Sequence, residues 1–168
     1  YRHKYSEFIA IDFPKIPFTN DLSLFSKLSN LGKKLTVIQL MKTIEPSVKV
    51  VFKGEGDYQV GTMSEKSLKD GRLYINDTQY FDGVSESLYD YHIGSYRICH
   101  KWLKDRKGEN LSKNDIIHYR KMMSVIEQSK SLVDEIDNLI TKNGGFPLLG
   151  SLDFEYDDSL PDGQQKLF

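Results

Sequence analysis

The sequence predicts an α+β fold in which long helices flank a small, mostly antiparallel β-region. Apolar residues recur at helical spacing between positions 24 and 41 and again between 116 and 140, whereas period-two alternation is confined to short stretches between 48 and 76. A length of 168 residues suits one domain with its own core.

The elements follow in order. Pro14 and Pro17 break regular structure, so the end of the 1–18 stretch reads as a linker or a strap across a neighbouring domain. Thr19, Asn20 and Asp21 offer N-cap chemistry, after which Leu24, Phe25, Leu28, Leu31, Leu35, Ile38 and Met41 mark a core helix that Pro46 stops. Val48, Val50 and Phe52 then alternate with Lys49, Val51 and Lys53 as in a half-buried strand. Gly54, Glu55 and Gly56 supply a turn, residues 58–60 a returning partner, and residues 61–70 a polar loop. Arg72 to Asn76 gives a second strand with Leu73 and Ile75 on one side and Tyr74 on the other.

A basic helix comes next. At about 100° per residue, Arg97, Lys101 and Lys104 share a sector of roughly 60°, while Tyr96, Ile98, Cys99, Trp102 and Leu103 fill the opposite side. Arg106 and Lys107 extend the charge, so residues 97–107 hold five basic residues against one acid, Asp105. Charged outer faces are usually only solvated, so this pattern permits phosphate binding without requiring it. The last helix starts at Ser112, which with Asp115 makes a capping-box-like start. Its stripe of Ile116, Tyr119, Met123, Ile126, Val133, Ile136 and Ile140 runs to the stop at Asn143, Gly144 and Gly145. At about 28 residues, roughly 40 Å, it serves equally well as core or as a brace against a neighbouring domain. One domain thus spans 19–145, and 146–168 form an acidic tail expected to be poorly ordered.

The net charge of −1 hides an asymmetry. Residues 151–168 carry five acids and only Lys166, which leaves the rest of the chain mildly positive. A lone Cys99 excludes an internal disulfide framework and fits a reducing compartment. No apolar run approaches the ~18 residues of a membrane span, and the chain, beginning at Tyr1, reads as a piece of a larger cytoplasmic protein.

Catalytic patterns are missing from the sequence. The GEG at 54–56 lacks the Lys and following helix of a phosphate loop, and no methyl-donor motif occurs. His3, His92, His100 and His118 with Cys99 give no metal-ligand spacing, so no metal site is expected. A metal set of Asp57, Glu65 and Lys66 is set aside because adjacent residues of a strand face opposite ways. The aromatics at Tyr80–Phe81 and Tyr89–Tyr91 read as core, since no interleaved basic strand pattern marks a single-strand binder.

Against this background, GRLYINDTQYFDGV followed by IGSYRICHKWLKDRKGENLSKNDIIHY resembles the C-terminal target-recognition region of type ISP restriction-modification enzymes. The opening YRHKYSEFIAIDFPKIPF resembles the segment by which that family's methyltransferase leads into its recognition domain, and LSNLGKKLTVIQLM its first long helix. The resemblance covers most of residues 1–142; Ser95 stands where the family more often has a second Gly, and 143–168 match no part of it.

It implies a DNA sequence-recognition domain, not catalytic alone. The same polypeptide would methylate adenine and cleave DNA through other domains that use S-adenosylmethionine, ATP and Mg. The implied partners are double-stranded DNA and the methyltransferase domain, with no membrane. Recognition needs cations on phosphates for register and polar side chains on base edges for sequence. The phosphate candidates are Arg97, Lys101, Lys104, Arg106 and Lys107; the base-reading candidates are Lys53, Tyr58, Gln59, Arg72, Asn76 and Gln79. The rival reading is a structural domain that docks the methyltransferase without reading DNA, favoured by the long apolar stripes and the modest charge.

Overall fold

The computed structural model describes residues 19–146 and 148; the expected linker at 1–18 and the acidic tail, apart from Phe146 and Leu148, lie outside the described residues. Among the described residues, four α-helices and two antiparallel sheets make an α+β architecture. The chain divides into two compact units, Ser29–Asp137 and Tyr1–Leu28 with Asn138–Phe168.

Helix α1, Leu22–Gln39, begins where the sequence predicts. Asp21 Oδ1 accepts from the N–H of Ser23 at 2.8 Å and of Leu24 at 3.1 Å, satisfying two of the donors left free at a helix start. Its end comes before Pro46. Met41 takes φ 56 and donates its N–H to the Ile38 carbonyl, so the chain leaves the helix through a left-handed residue rather than at the proline.

Strand β1, Val51–Lys53, is shorter than the alternation suggests. The Ser47 hydroxyl accepts from the Val50 N–H at 3.3 Å, and this local turn competes with a ladder. Val48 is consequently 88% exposed, while Val50 is fully buried. Arg120 pins the same segment to the last helix: its Nε donates to the Val50 carbonyl and its Nη2 to the Ser47 carbonyl, each at 2.7 Å.

The expected loop at 61–70 contains a 3-10 turn, Glu65–Ser67, capped by Ser64, and then β2, Leu68–Lys69. Glu65 and Lys66 therefore sit on a helical turn, and the strand argument used to set them aside does not apply to them. Strands β3, Arg72–Tyr74, and β4, Tyr80–Asp82, complete a sheet of order β1-β4-β3-β2. Pairing places Phe52 opposite Phe81 and Leu73 opposite both Phe81 and Leu68. Phe81 and Leu73 are fully buried, so one face of the sheet is core. Residues 58–60 do not return against β1; Gln59 instead bridges Asn110.

After the short α2, Glu86–Tyr89, the hairpin of β5, His92–Ile93, and β6, Tyr96–Arg97, leads into α3, Ile98–Lys104. Tyr96 is thus a strand residue, and it is exposed rather than packed with the helix's apolar side. Helix α4, Lys113–Lys142, carries the expected cap in full: Ser112 N–H donates to Asp115 Oδ2 at 2.9 Å, and the Asp115 N–H returns to Ser112 Oγ at 3.1 Å. It closes on Gly145, whose N–H reaches the Ile140 carbonyl at 3.0 Å. In the smaller unit, Leu24 and Ile140 are the buried apolar side chains among the described residues.

Tyr119 of α4 centres the core of the larger unit. Its ring lies 4.6 Å from Phe81 and 4.8 Å from Trp102, and its hydroxyl donates to the Cys99 carbonyl at 3.0 Å. Burial pushes the Cys99 thiol up to about 12. Because the thiolate is the reactive form, Cys99 should resist iodoacetamide at pH 8 in the folded protein and react once urea unfolds it; rapid labelling of the native state would contradict this packing.

Candidate nucleic-acid interface

The basic segment is organised by the β5–β6 hairpin and α3 acting together. Arg97 lies in β6, at the position just before α3 rather than on the helix itself, yet it lines one cleft of about 290 Å³ with Lys101, Lys104, His92, Tyr96 and His100. Three of the five phosphate candidates therefore converge. Arg97 reaches Asp90 at 3.4 Å and its guanidinium sits 5.6 Å over the Tyr89 ring. Lys101 pairs with Asp105 at 2.6 Å and lies 5.5 Å from the Tyr96 ring. Lys104 is exposed, with no ion pair among the described residues. The Lys101–Asp105 pair is half-exposed on both sides and contributes little, so a phosphate in the cleft can replace that carboxylate at small cost.

Arg106 and Lys107 follow the helix end. Arg106 stacks 3.6 Å over the Trp102 ring and donates to the Trp102 carbonyl at 3.1 Å, which fixes its guanidinium against the helix terminus. Lys107 is exposed.

The chain then runs into a cluster of loops that holds four of the six base-reading candidates. Residues 108–111 run antiparallel to 58–60, through Gly108 N–H to the Val60 carbonyl, Val60 N–H to Glu109 and Leu111 N–H to Tyr58. Gln59 Nε2 donates to the Gly108 carbonyl at 3.2 Å, and Asn110 Nδ2 to that of Asp57 at 2.7 Å. Tyr58 and Gln59 are exposed here, directly beside the segment that carries Arg106 and Lys107. Tyr58 takes φ 66, and its ring stacks on Phe52 with centroids 5.8 Å apart.

Asn76 and Gln79 are struts of this cluster. Asn76 Oδ1 accepts from the Thr78 and Gln79 N–H groups while its Nδ2 donates to the Gln59 carbonyl and to Gln79 Oε1. Gln79 is fully buried, its Oε1 accepting from the Tyr58 N–H at 2.8 Å. A side chain so enclosed has no edge to offer a groove, which corrects the expectation for Gln79.

Lys53 and Arg72 lie elsewhere, on the solvent face of the four-stranded sheet. Both meet Asp82, Lys53 at 2.6 Å and Arg72 at 3.5 Å. The Lys53 hydrogen bond holds the Asp82 carboxyl below its usual range and raises Lys53 in return. Arg72 is raised first by its hydrogen bond to Tyr74. Sequence reasoning missed Asn110, His92, His100, Tyr74, Tyr80 and Lys69 as neighbours of the candidates. Asn110 and Tyr80 are brought in by pairing between segments apart in sequence, of which local periodicity carries no signal; Lys69 and Tyr74 join through strand register, and His92 and His100 through the hairpin and helix that carry Arg97 and Lys101. Among the described residues, no group of three or more His, Cys, Asp or Glu gathers to hold a metal, and no helix is long and apolar enough to cross a membrane.

Comparison with known proteins gives one family: the type ISP C-terminal specificity domain matches residues 1–135. Two solved structures are similar in fold. One is the ATP-dependent type ISP restriction-modification enzyme LlaBIII bound to DNA, at 18% identity and a TM-score of 0.56 over 79% of this chain and 10% of that one. The other is a nuclease-deletion mutant of the type ISP restriction-modification enzyme LlaGI in complex with a DNA substrate mimic, at 17% identity and a TM-score of 0.51 over 74% of this chain and 13% of that one. The chain thus spans only about a tenth of the length of either. No curated protein matches it.

Proposed function

We propose, because this chain belongs to the type ISP C-terminal specificity-domain family, that it recognises a DNA target sequence on behalf of a restriction-modification enzyme. The observation that carries the reading is the continuity of the basic segment. Arg97, Lys101 and Lys104 converge on one cleft, and the same stretch of chain passes through Arg106 and Lys107 into the loops that expose Tyr58 and Gln59. Phosphate contacts set register; the adjacent loop side chains then meet base edges, where an amide such as that of Gln59 suits adenine.

The chemistry belongs to other domains of the same polypeptide: adenine methylation with S-adenosylmethionine, and cleavage with ATP and Mg, in the cytoplasm. This domain holds the duplex against the methyltransferase, its partner. Exposed Val37 and Leu40 of the first helix region, beside an apolar groove of about 510 Å³ lined by Val37, Ile38 and Leu132, favour a second reading in which the domain docks the methyltransferase without reading sequence.

One measurement separates them. In the full-length protein, Lys101→Ala with Lys104→Ala should weaken binding to all duplexes alike by roughly tenfold or more, and lower the slope of log K against log salt by about 1.8, near 0.9 for each lost phosphate contact. Unchanged affinity and slope would reject the phosphate cleft and leave the docking reading.

A further inference from the structure

The solvent face of the four-stranded sheet carries a second pattern, invisible along the chain. Register places Lys53, Tyr80 and Tyr74 side by side across β1, β4 and β3, and Val51, Asp82, Arg72 and Lys69 in the next row across all four strands. The two tyrosine rings lie 5.0 Å apart, tilted by 40°, and the Arg72 guanidinium stands 5.3 Å from the Tyr80 ring. A tyrosine pair is thus flanked by Lys53 in its own row and by Arg72 and Lys69 in the next, a grouping that the linear sequence lacks.

We propose that this face binds an unpaired stretch of nucleic acid, with bases stacked on Tyr74 and Tyr80 and phosphates held by Lys53, Lys69 and Arg72. The inference rests on the nucleic-acid reading above and adds a second ligand class to it. Aromatic rings on an open sheet stack with free base faces, and every base has one, so such a platform tolerates any sequence. Bases within a duplex are already stacked on their neighbours and offer the rings no free face. The ring pair selects against duplex for that reason. A cross-strand tyrosine pair alone would stabilise the sheet without needing cations around it. Here three basic residues on three different strands surround the pair, and the one carboxylate among them, Asp82, holds Lys53 and Arg72 over the sheet. Where a target base leaves its stack, the strand beside it exposes the free base faces that this platform takes.

The test uses the full-length protein and a short oligothymidylate. Ultraviolet crosslinking followed by peptide mapping should give adducts at Tyr74 or Tyr80, and Y74L/Y80L, which keeps the apolar contact but removes the rings, should bind the oligothymidylate about tenfold or more weakly while retaining duplex affinity. The exposed pair Lys53→Ala and Lys69→Ala gives a second reading should the leucine variant fold poorly; it should lower single-strand affinity and its salt slope. Adducts confined to other positions, or equal losses on duplex and single strand, would overturn the proposal. Failure of K101A/K104A to affect duplex binding would strike the cleft instead, leaving the crosslink result to judge the sheet face on its own.

Discussion

Arg120→Met is expected to destabilise the protein by about 3–5 kcal/mol, since it removes two hydrogen bonds from a charged donor, each of which contributes on the order of 1.5–3 kcal/mol. The guanidinium reaches from α4 to the carbonyls of Val50 and Ser47, both at 2.7 Å, and the Ser47 N–H donates back to the Arg120 carbonyl at 3.2 Å. Methionine keeps most of the stem's apolar volume and supplies neither donor. The Val50 carbonyl then faces a half-buried environment with no partner, at the entrance to the strand that carries Lys53. Lysine is no remedy, because a single ammonium cannot span two carbonyls in the fixed fork that guanidinium provides. Urea denaturation of the Met and Lys variants measures the effect; a loss below about 1 kcal/mol would show that water replaces the fork without cost.

How much of this was legible from sequence differs by element, and the differences have physical causes. Helix α4 was readable at both ends, because its start depends on Ser112 and Asp115 three residues apart and its stop on Gly144 and Gly145, all local chemistry. Helix α1 was readable at its start for the same reason, through Asp21. Its end was not, since Met41 turns left-handed with no glycine or proline to announce it. The strand at Val48 failed because Ser47 offered the backbone a turn that competes with a ladder.

The candidate site shows the same division. Arg97, Lys101 and Lys104 do share one cleft, although a hairpin and a helix place them there rather than one helical face. Asn76 and Gln79 looked like base readers because amides in a polar turn look alike whether they face solvent or hold the turn together. Only the three-dimensional closure of 58–60 on 108–111 decides that these two hold the loops. Tyr80 was read as core because the sequence shows no interleaved basic strand pattern; alternation in the strand sends Phe81 inward and Tyr80 outward. The gathering of cations around the ring pair depends on register between four strands, information that a single segment does not contain.

Gly54→Ala should cost about 3–5 kcal/mol and should also blunt sequence discrimination. Gly54 takes φ 99, a conformation that charges any L side chain about 1–3 kcal/mol. An added Cβ would also lie 2.1 Å from the Thr78 carbonyl oxygen and 2.9 Å from Gln79 Cα, both backbone atoms, so the loop must move away from the 76–79 turn. That movement breaks the Thr78 hydroxyl's bond to the Glu55 carbonyl and the Tyr58 N–H's bond to Gln79 Oε1. Each lost bond adds about 0.5–1.5 kcal/mol, Gln79 Oε1 keeping Asn76 Nδ2 as its remaining partner. The displaced stretch is the one that exposes Tyr58 and Gln59, whereas the cleft of Arg97, Lys101 and Lys104 is built from other residues and is left intact. In a variant still folded at low temperature, affinity for unrelated duplex should therefore persist with its salt slope unchanged, while preference for the cognate sequence falls. Competition binding between cognate and scrambled duplexes measures this; full retention of the preference would place base reading outside the 54–59 loop.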